Sequence, residues 1–194
     1  SGSYDNATEE LRELITQSVK RHSNAEVKYG LYLSDGLDSN VLSLVGRFEN
    51  TYTYTSTGDS EKDIYRKLPE ITRSLDFPIA SLSSYPLFRL AEMAAEDKCT
   101  VVLSGEGADE LFGGYVRYLL PLAVDELWES KSNYRPLFSK AVPDPETIFS
   151  KITCRGDGEE LVKELFQKIR GMTPDLLTAM QYFDFKYVMP SLLN

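Results

Sequence analysis

Short runs of β-branched and aromatic residues alternate with longer amphipathic segments along the first half of the chain. Residues 27–33 (VKYGLYL), 51–57 (TYTYTST) and 100–103 (TVVL) are typical of buried strands, and residues 78–82 are predicted as a further short strand. Apolar residues recur with helical spacing between these runs. Parallel strands need long crossover connections, usually helices that cover both faces of the sheet. The pattern therefore predicts an α/β domain with a parallel sheet.

The helical segments are identified by apolar residues three and four positions apart. They cover residues 7–21, 41–48, 64–75, 87–94 and 161–169. Pro69 indicates a kink in the third helix, and Gly171 is expected to end the last one. Residues 121–145 contain four prolines and little periodicity, so we predict an irregular region with short helices there.

Length and composition favour one globular domain. The chain has 194 residues, of which 42% are hydrophobic and 26% charged, as in ordinary folded proteins. Ser1, Gly2 and Ser3 are interpreted as a tag remnant, which leaves residues 4–194 as a single domain. No apolar stretch approaches the ~20 residues that a membrane span needs, and no secretory signal is visible. We therefore expect a cytoplasmic protein that does not bind membranes.

The charged and reactive residues exclude several kinds of function. With 21 basic and 30 acidic residues the formal net charge is −9, which argues against nucleic acid as a partner. His22 is the sole histidine, and the cysteines are Cys99 and Cys154. No spacing resembles a zinc site, and a Ser-His-Asp or Cys-His triad would depend on His22. The cysteines are interpreted as free thiols in a reducing compartment.

The loop after the first predicted strand has the composition of a phosphate-binding turn. Residues 34–39 (SDGLDS) open a helix at the edge of the sheet where open α/β sheets bind ligands. Gly36 allows close backbone approach. The N–H groups of the first helical turn and the hydroxyls of Ser34 and Ser39 are hydrogen-bond donors. Considered alone, the loop is a weak signal, because such a turn is more often purely structural.

A second loop follows the last predicted strand. Residues 104–110 (SGEGADE) place three carboxylates within five residues, which could simply complement the dipole of the next helix. Neither 34–40 nor 104–114 contains Lys or Arg. Like charges ~4 Å apart repel by about 4 kcal/mol at an effective dielectric constant of about 20, so a bare triphosphate would be rejected. A divalent cation reverses this repulsion, and oxygen ligands favour Mg²⁺. The two loops together predict a Mg²⁺–nucleotide site.

Three motifs resemble a known family. Residues 34–39 are similar to the pyrophosphate loop of the ATP-pyrophosphatase superfamily. Residues 101–115 (VVLSGEGADELFGGY) and 184–193 (DFKYVMPSLL) resemble asparagine synthetase B-type synthetase domains. The resemblance implies a flavodoxin-like (Rossmann-like), doubly wound parallel sheet of about five strands, of the adenine nucleotide alpha hydrolase type. It also implies an ATP- and Mg²⁺-dependent ligase that adenylates a carboxylate, releases pyrophosphate and transfers the acyl group to an amine.

The same resemblance implies roles for individual residues. The residues implied to line the adenosine pocket are Leu33, Tyr54, Ser104 and Gly105. Those implied to hold pyrophosphate are Ser34, Gly36, Asp38 and Ser39. Asp38, Asp109 and Glu106 are the implied catalytic residues: the two aspartates are Mg²⁺ ligands, and Glu106 lies beside the adenylate. Catalysis would then rest on positioning and charge neutralisation, which need no histidine.

The chain also departs from the family pattern. Asp35 stands where the family usually has Gly, and Asn40 where it usually has Ser or Thr. Asp35 is either a turn residue, which we favour, or a further metal ligand. The family's glutaminase domain and the rest of its C-terminal part are absent from this sequence, so we expect no glutamine hydrolysis by this chain alone.

Several functions are compatible with these motifs. Relatives of this type form asparagine, a β-lactam ring or the isopeptide ring of a lasso peptide, and the motifs do not choose between them. The alternatives are a catalytically impaired nucleotide-binding module or a subunit of a larger amidotransferase. Nucleoside modification is a weaker third interpretation.

The expected partners follow from the reaction and from the end of the chain. The substrates would be a small-molecule or peptide carboxylate and an amine. Residues 180–194 are apolar on nearly every helical face, which is typical of a fully buried helix. We expect a homodimer, or a second chain that completes the site. The alternative is that this tail folds back over its own chain.

Overall fold

The protein is described by a computed structural model that covers residues 4–56, 58–75, 82–130, 142–154 and 156–190. The chain divides into two compact units, Ser1–Glu106 and Gly107–Asn194. The boundary lies inside the loop after the last predicted strand, and each unit contains a hydrophobic cluster of its own. The expectation of a single domain over 4–194 stays a prediction.

The first unit alternates helices and strands. Its elements are α1 (Tyr4–His22), β1 (Tyr29–Tyr32), α2 (Leu37–Val45), β2 (Asn50–Tyr52), α3 (Glu61–Leu75), α4 (Ser84–Glu96) and β3 (Val101–Leu103). The helices and strands predicted for these segments are confirmed, although the strands are shorter than predicted. Helix α3 contains Pro69. The predicted strand 78–82 lies outside the described residues, except for Leu82, which belongs to a turn.

The strands form a parallel sheet in the order β2-β1-β3. The central strand pairs Leu31 with Thr51 on one side and with Leu103 on the other, and Leu31 is fully buried. The predicted α/β class and the parallel sheet are therefore confirmed. Within the described residues the sheet has three strands, so five strands and the flavodoxin-like topology stay predictions.

The second unit is helical. Its elements are α5 (Ala108–Phe112), a 3-10 turn (Val116–Tyr118), α6 (Leu119–Ser130), α7 (Pro145–Thr153), α8 (Glu159–Arg170), α9 (Leu176–Phe183) and a π-helical segment (Asp184–Val188). Helix α8 ends at Gly171, as predicted. Of the segment 121–145, predicted as irregular with short helices, α6 covers 121–130, and residues 131–141 lie outside the described residues. Pro121 lies in the first turn of α6, where a backbone N–H has no intrahelical partner to lose.

An aromatic core holds the second unit together. The rings of Phe149 and Phe166 lie 4.6 Å apart and those of Phe149 and Phe183 lie 5.6 Å apart. Phe183 is buried, whereas Tyr182 and Phe185 are 41% and 47% exposed. The described part of the tail therefore buries some of its aromatic residues and exposes others, and the expected association with a second chain stays a prediction. No helix in the described ranges is both long and apolar enough to cross a membrane.

Candidate functional site

The sheet register brings most of the predicted site residues of the first unit to one edge. Tyr32 pairs with Tyr52 and Leu31 with Leu103, so Ser34, Tyr54 and Ser104 all follow the carboxyl ends of adjacent strands. The Leu33 N–H donates to the Tyr52 carbonyl oxygen at 2.9 Å and extends the pairing beyond β1. This is the edge at which parallel sheets bind ligands.

Gly105 allows the chain after β3 to pack directly against the first turn of α2. A Cβ atom at this position would lie 2.8 Å from the Ser39 nitrogen and 3.0 Å from the Asp38 Cβ. Backbone atoms cannot move aside as a flexible side chain can, so a residue with a side chain would displace the turn. The predicted pyrophosphate loop and the predicted adenosine-pocket residue Gly105 are therefore in direct contact.

The hydroxyls of the first loop bond to the loop itself. The Ser39 Oγ accepts the Ser34 N–H at 3.0 Å and lies 2.9 Å from the Ser34 Oγ. The Ser34 Oγ in turn accepts the Gly36 N–H at 3.1 Å. Ser39 is buried. Sequence reasoning assigned these hydroxyls to pyrophosphate, whereas the structure uses them to close the loop. Their binding role stays a prediction.

The Asn40 side chain adds two hydrogen bonds to carbonyls that the Ser39 Oγ also reaches, at 3.2 Å for Ser34 and 3.4 Å for Gly36. Its Nδ2 donates to the carbonyl oxygens of Ser34 at 2.9 Å and Gly36 at 2.7 Å. From the sequence, Asn40 was recognised only as a departure from the Ser or Thr that the family usually has at this position. The available signal was the spacing, because a donor in the first helical turn can reach the carbonyl four residues earlier.

Several polar groups of this loop have no protein partner. The N–H groups of Asp35, Leu37, Asp38 and Ser39 meet no acceptor among the described residues. Gly36 caps α2 without a side-chain hydrogen bond. The half-buried Asp38 side chain has no hydrogen bond or ion pair in that same part of the chain. Clustered N–H donors suit an anion and a carboxylate suits a cation, so the loop can receive both.

The hydroxyl of Tyr54 is already engaged. It donates to the Asp59 carboxylate at 2.9 Å, and its ring packs edge-on against Tyr85 at 6.1 Å. Burial, with a smaller effect of Asp59, raises the pKa of Tyr54 above its ordinary value. The phenol therefore stays protonated. The face of the ring is the part of Tyr54 that could stack on a nucleobase.

The two predicted acidic residues of the second loop belong to different units. Glu106 is exposed at the end of the first unit. Asp109 lies in the first turn of α5, after Gly107, whose φ of +94° favours glycine. Gly114 donates its N–H to the Asp109 carbonyl oxygen at 3.0 Å, and a Cβ at Gly114 would collide with the Asp109 carboxylate. The side chain of Asp109 is thus positioned by its own loop.

The described side chains limit how a metal ion could be held. The described part of the chain contains no group of three or more His, Cys, Asp or Glu residues able to hold a metal ion. Mg²⁺ needs no such cage, because it keeps several waters and usually binds to one or two carboxylates and to substrate phosphates. The unpartnered carboxylate of Asp38 fits that mode. The assignment of Asp38 and Asp109 as Mg²⁺ ligands stays a prediction.

A buried polar network in the second unit was not found by sequence reasoning. The Asp184 Oδ2 accepts hydrogen bonds from the Arg117 guanidinium at 2.6 Å and from the Tyr118 hydroxyl. Asp184 is fully buried, and its Oδ1 has no partner in the described ranges. Burial raises the pKa of Asp184, although Tyr118 and Arg117 lower it. The signal that could have revealed this network was Asp184, the one acidic residue of the aromatic tail 180–194.

Fold and loops together define the class of the first unit. It is an α/β unit with a parallel sheet, and its candidate site follows the carboxyl ends of the strands, where sheets of this kind bind ligands. The Asparagine synthase family matches residues 10–59 and 55–194. The chain therefore belongs to the asparagine synthase family, and the family resemblance given by its motifs is confirmed.

Individual relatives carry the same family name. A putative glutamine-hydrolysing asparagine synthetase of Mycobacterium tuberculosis H37Rv is 35% identical over 144 residues, which is 60% of this chain and 22% of that protein. Asparagine synthetase 1 of Bacillus subtilis is 33% identical over 148 residues, 62% of this chain and 23% of the relative. Asparagine synthetase B of Escherichia coli is 24% identical over 161 residues, which is 59% of this chain and 28% of that protein.

The aligned region covers only part of these relatives. This chain spans 22% to 28% of the length of the three proteins named above. No solved structure matches the chain.

Proposed function

We propose that this chain is the nucleotide-binding part of an ATP- and Mg²⁺-dependent, AMP-forming, amide-forming synthetase of the asparagine synthetase type. The reaction joins a carboxylate to the α-phosphorus of ATP, expels pyrophosphate, and then transfers the acyl group from AMP to an amine. The observation that carries the proposal is the loop 34–40, which combines unpaired N–H groups with an unpartnered carboxylate. The family membership of the chain supports it.

The loop has groups that could bind both the phosphate oxygens and the Mg²⁺ ion of Mg²⁺–pyrophosphate. The unpaired N–H groups at residues 35, 37, 38 and 39 would donate to phosphate oxygens. The carboxylate of Asp38 would hold Mg²⁺, and Asp109 keeps the second metal-ligand role implied by the family. When bound, the cation neutralises the charge that develops on the leaving pyrophosphate. Gly105 keeps the loop compact, since no Cβ fits there.

The other assignments complete the proposal. The adenosine pocket would be lined by Leu33, Tyr54, Ser104 and Gly105. The strand register brings these residues to the carboxyl ends of the three strands. Tyr54 would contribute its ring, because its hydroxyl is bonded to Asp59. Glu106 would lie beside the reacting carboxylate. We propose a flavodoxin-like sheet with further strands for the complete fold.

A nucleotide-binding module without turnover is the second candidate. One observation favours it: the exposed carboxylate of Asp35 lies in the same loop as the unpaired N–H groups. A negative charge there opposes phosphate binding. Formation of AMP and pyrophosphate separates an enzyme from such a module.

The test is incubation of the chain with Mg²⁺–ATP, a panel of carboxylates with aspartate first, and ammonium. We expect AMP and pyrophosphate in equal amounts, measured by mass spectrometry and a phosphate assay. Asp38→Asn should weaken Mg²⁺–ATP binding about tenfold or more, a change of about 1.4 kcal/mol, and should reduce its dependence on Mg²⁺. Titration calorimetry at several Mg²⁺ concentrations measures both effects.

Asp35→Asn is the matched control, because it removes the same charge from the same loop. As a turn residue, Asp35 should be replaceable with unchanged or tighter binding and an unchanged Mg²⁺ dependence. Equal behaviour of the two variants would refute the assignment of Asp38 to the metal. Binding without AMP formation would favour the module over the enzyme.

A further inference from the structure

We infer that Asn40 is a positioning residue that orients the backbone of the phosphate loop, so that two of its N–H groups face the ligand. The inference rests on the proposed function of this site and goes beyond it, because Asn40 itself touches neither phosphate nor metal in this role. It acts through the carbonyl groups that flank Asp35.

The side-chain amide of Asn40 matches its two partners in number and in kind. An asparagine NH₂ group has two N–H donors. The carbonyl oxygens of Ser34 and Gly36 are two acceptors, at 2.9 Å and 2.7 Å from Nδ2. The reversed amide would place its oxygen against both carbonyls and would be repelled. The hydrogen bonds therefore fix the orientation of the amide as well as that of the loop.

Peptide geometry transfers this constraint to the other side of the loop. In a trans peptide the C=O and the following N–H point in opposite directions across one plane, and the chain has no cis bond in its described part. The Ser34 carbonyl shares its plane with the Asp35 N–H, and the Gly36 carbonyl with the Leu37 N–H. Because both carbonyls point at the Asn40 amide, both N–H groups point away from it.

The two N–H groups oriented in this way are among those left without an acceptor. Neither the Asp35 nor the Leu37 N–H has a partner among the described residues. Asn40 therefore uses the acceptors of the loop and leaves its donors for an anion. It does so without adding charge.

A serine at this position would hold the loop less completely. Its hydroxyl has one donor, which in a helix bonds the carbonyl four residues earlier, here that of Gly36. The Ser34 carbonyl, six residues earlier, would lose the 2.9 Å bond from Asn40 and keep only the longer one from the Ser39 Oγ at 3.2 Å, so the direction of the Asp35 N–H would be held less firmly. This predicts a graded series in which wild type binds more tightly than Asn40→Ser, and Asn40→Ser more tightly than Asn40→Ala.

The experiment titrates Mg²⁺–pyrophosphate into the full 194-residue chain and measures affinity by calorimetry. Loss of two hydrogen bonds should weaken binding by Asn40→Ala about tenfold, and loss of one should weaken Asn40→Ser about threefold. In amide NMR spectra, the Asp35 and Leu37 signals should shift on binding in wild type. The Asp35 shift should shrink in Asn40→Ser, and both should shrink in Asn40→Ala.

Asn50→Ala is the matched control, since the Asn50 amide also bonds a backbone carbonyl, that of Tyr29, but outside the loop. It should keep wild-type affinity. If Asn40→Ala binds Mg²⁺–pyrophosphate as wild type does, or if Asn50→Ala weakens binding equally, the inference is overturned while the proposed function stands. If wild type binds neither Mg²⁺–pyrophosphate nor Mg²⁺–ATP, the proposed function itself fails.

Discussion

The loop 34–40 and the buried network around Asp184 use polar groups in opposite ways. In the network, carboxylates are buried and bonded: Asp184 to Arg117 and Tyr118, and Glu110 to Tyr115 at 2.8 Å. In the loop, side chains bond the backbone acceptors, whereas four N–H groups (residues 35 and 37–39) and the carboxylates of Asp35 and Asp38 have no partner in the described part of the chain.

The difference separates groups that stabilise the fold from groups that can bind a ligand. A buried carboxylate is stable only when its charge is bonded or paired, so the network is tied to folding. The carboxylate of Asp38 is only half-buried, so it has a smaller cost of this kind and can exchange water for a cation. Both regions contain two acidic residues, Asp35 and Asp38 in the loop and Glu110 and Asp184 in the network, so residue type alone does not distinguish them.

The largest effect on stability is expected in the buried network around Asp184. Asp184→Ala leaves the Arg117 guanidinium without its buried partner and should lower the free energy of unfolding by about 3–5 kcal/mol. Urea denaturation measures this loss. Glu164→Ala is the control, because the Glu164–Lys168 pair at 2.9 Å is exposed, and it should change stability little. Equal, small losses in the two variants would show that the network does not stabilise the fold.

The pH dependence of stability tests the same carboxyl. Burial raises the pKa of Asp184 above its ordinary value of 3.8. Its stabilising contribution is therefore fully present below that value and is lost as pH rises through the raised pKa. Asp184→Asn cannot titrate. The stability of wild type relative to this variant should fall as the pH rises above about 4, and a constant difference would contradict the raised pKa.

A smaller effect is expected where the first loop meets the end of β3. Gly105→Ala places a Cβ against the backbone of Ser39 and should cost about 2 kcal/mol by overpacking, with weaker Mg²⁺–pyrophosphate binding. Denaturation and calorimetry measure the two effects. Gly171→Ala is the control. Gly171 has a helical φ, and a Cβ added there would lie 3.4 Å from its nearest neighbour, the Lys168 carbonyl oxygen. This variant should therefore be neutral or slightly stabilising. Normal binding by Gly105→Ala would show that the contact does not shape the site.

The smallest effect sharpens the comparison within the network. Tyr115→Phe removes the hydroxyl that donates to the buried Glu110 and should destabilise the protein by about 1 kcal/mol. The exposed Tyr182 offers a control, since Tyr182→Phe keeps the ring and loses a hydroxyl that faces water. Ligand binding should be unchanged in both variants. A loss of Mg²⁺–ATP affinity in Tyr115→Phe alone would make Glu110 part of the binding machinery.

The sequence by itself determined the elements and the place of the first loop. Strand 29–32, helix 37–45 and the loop between them follow from short-range patterns of apolar residues, glycine and turn residues. The same is true of the motifs that identify the family. Such patterns are local, so they are readable without coordinates.

Only the tertiary structure decided which polar groups are used and which are left unpaired. Arg117 and Asp184 meet across 67 positions of sequence, and Gly105 meets Ser39 only because β1 and β3 are neighbours in the sheet. Even the adjacent Asn40 could not be interpreted from its residue type, because a side-chain amide can donate, accept or face water. The direction of a hydrogen bond depends on the atoms around it, and these are set by packing between distant segments.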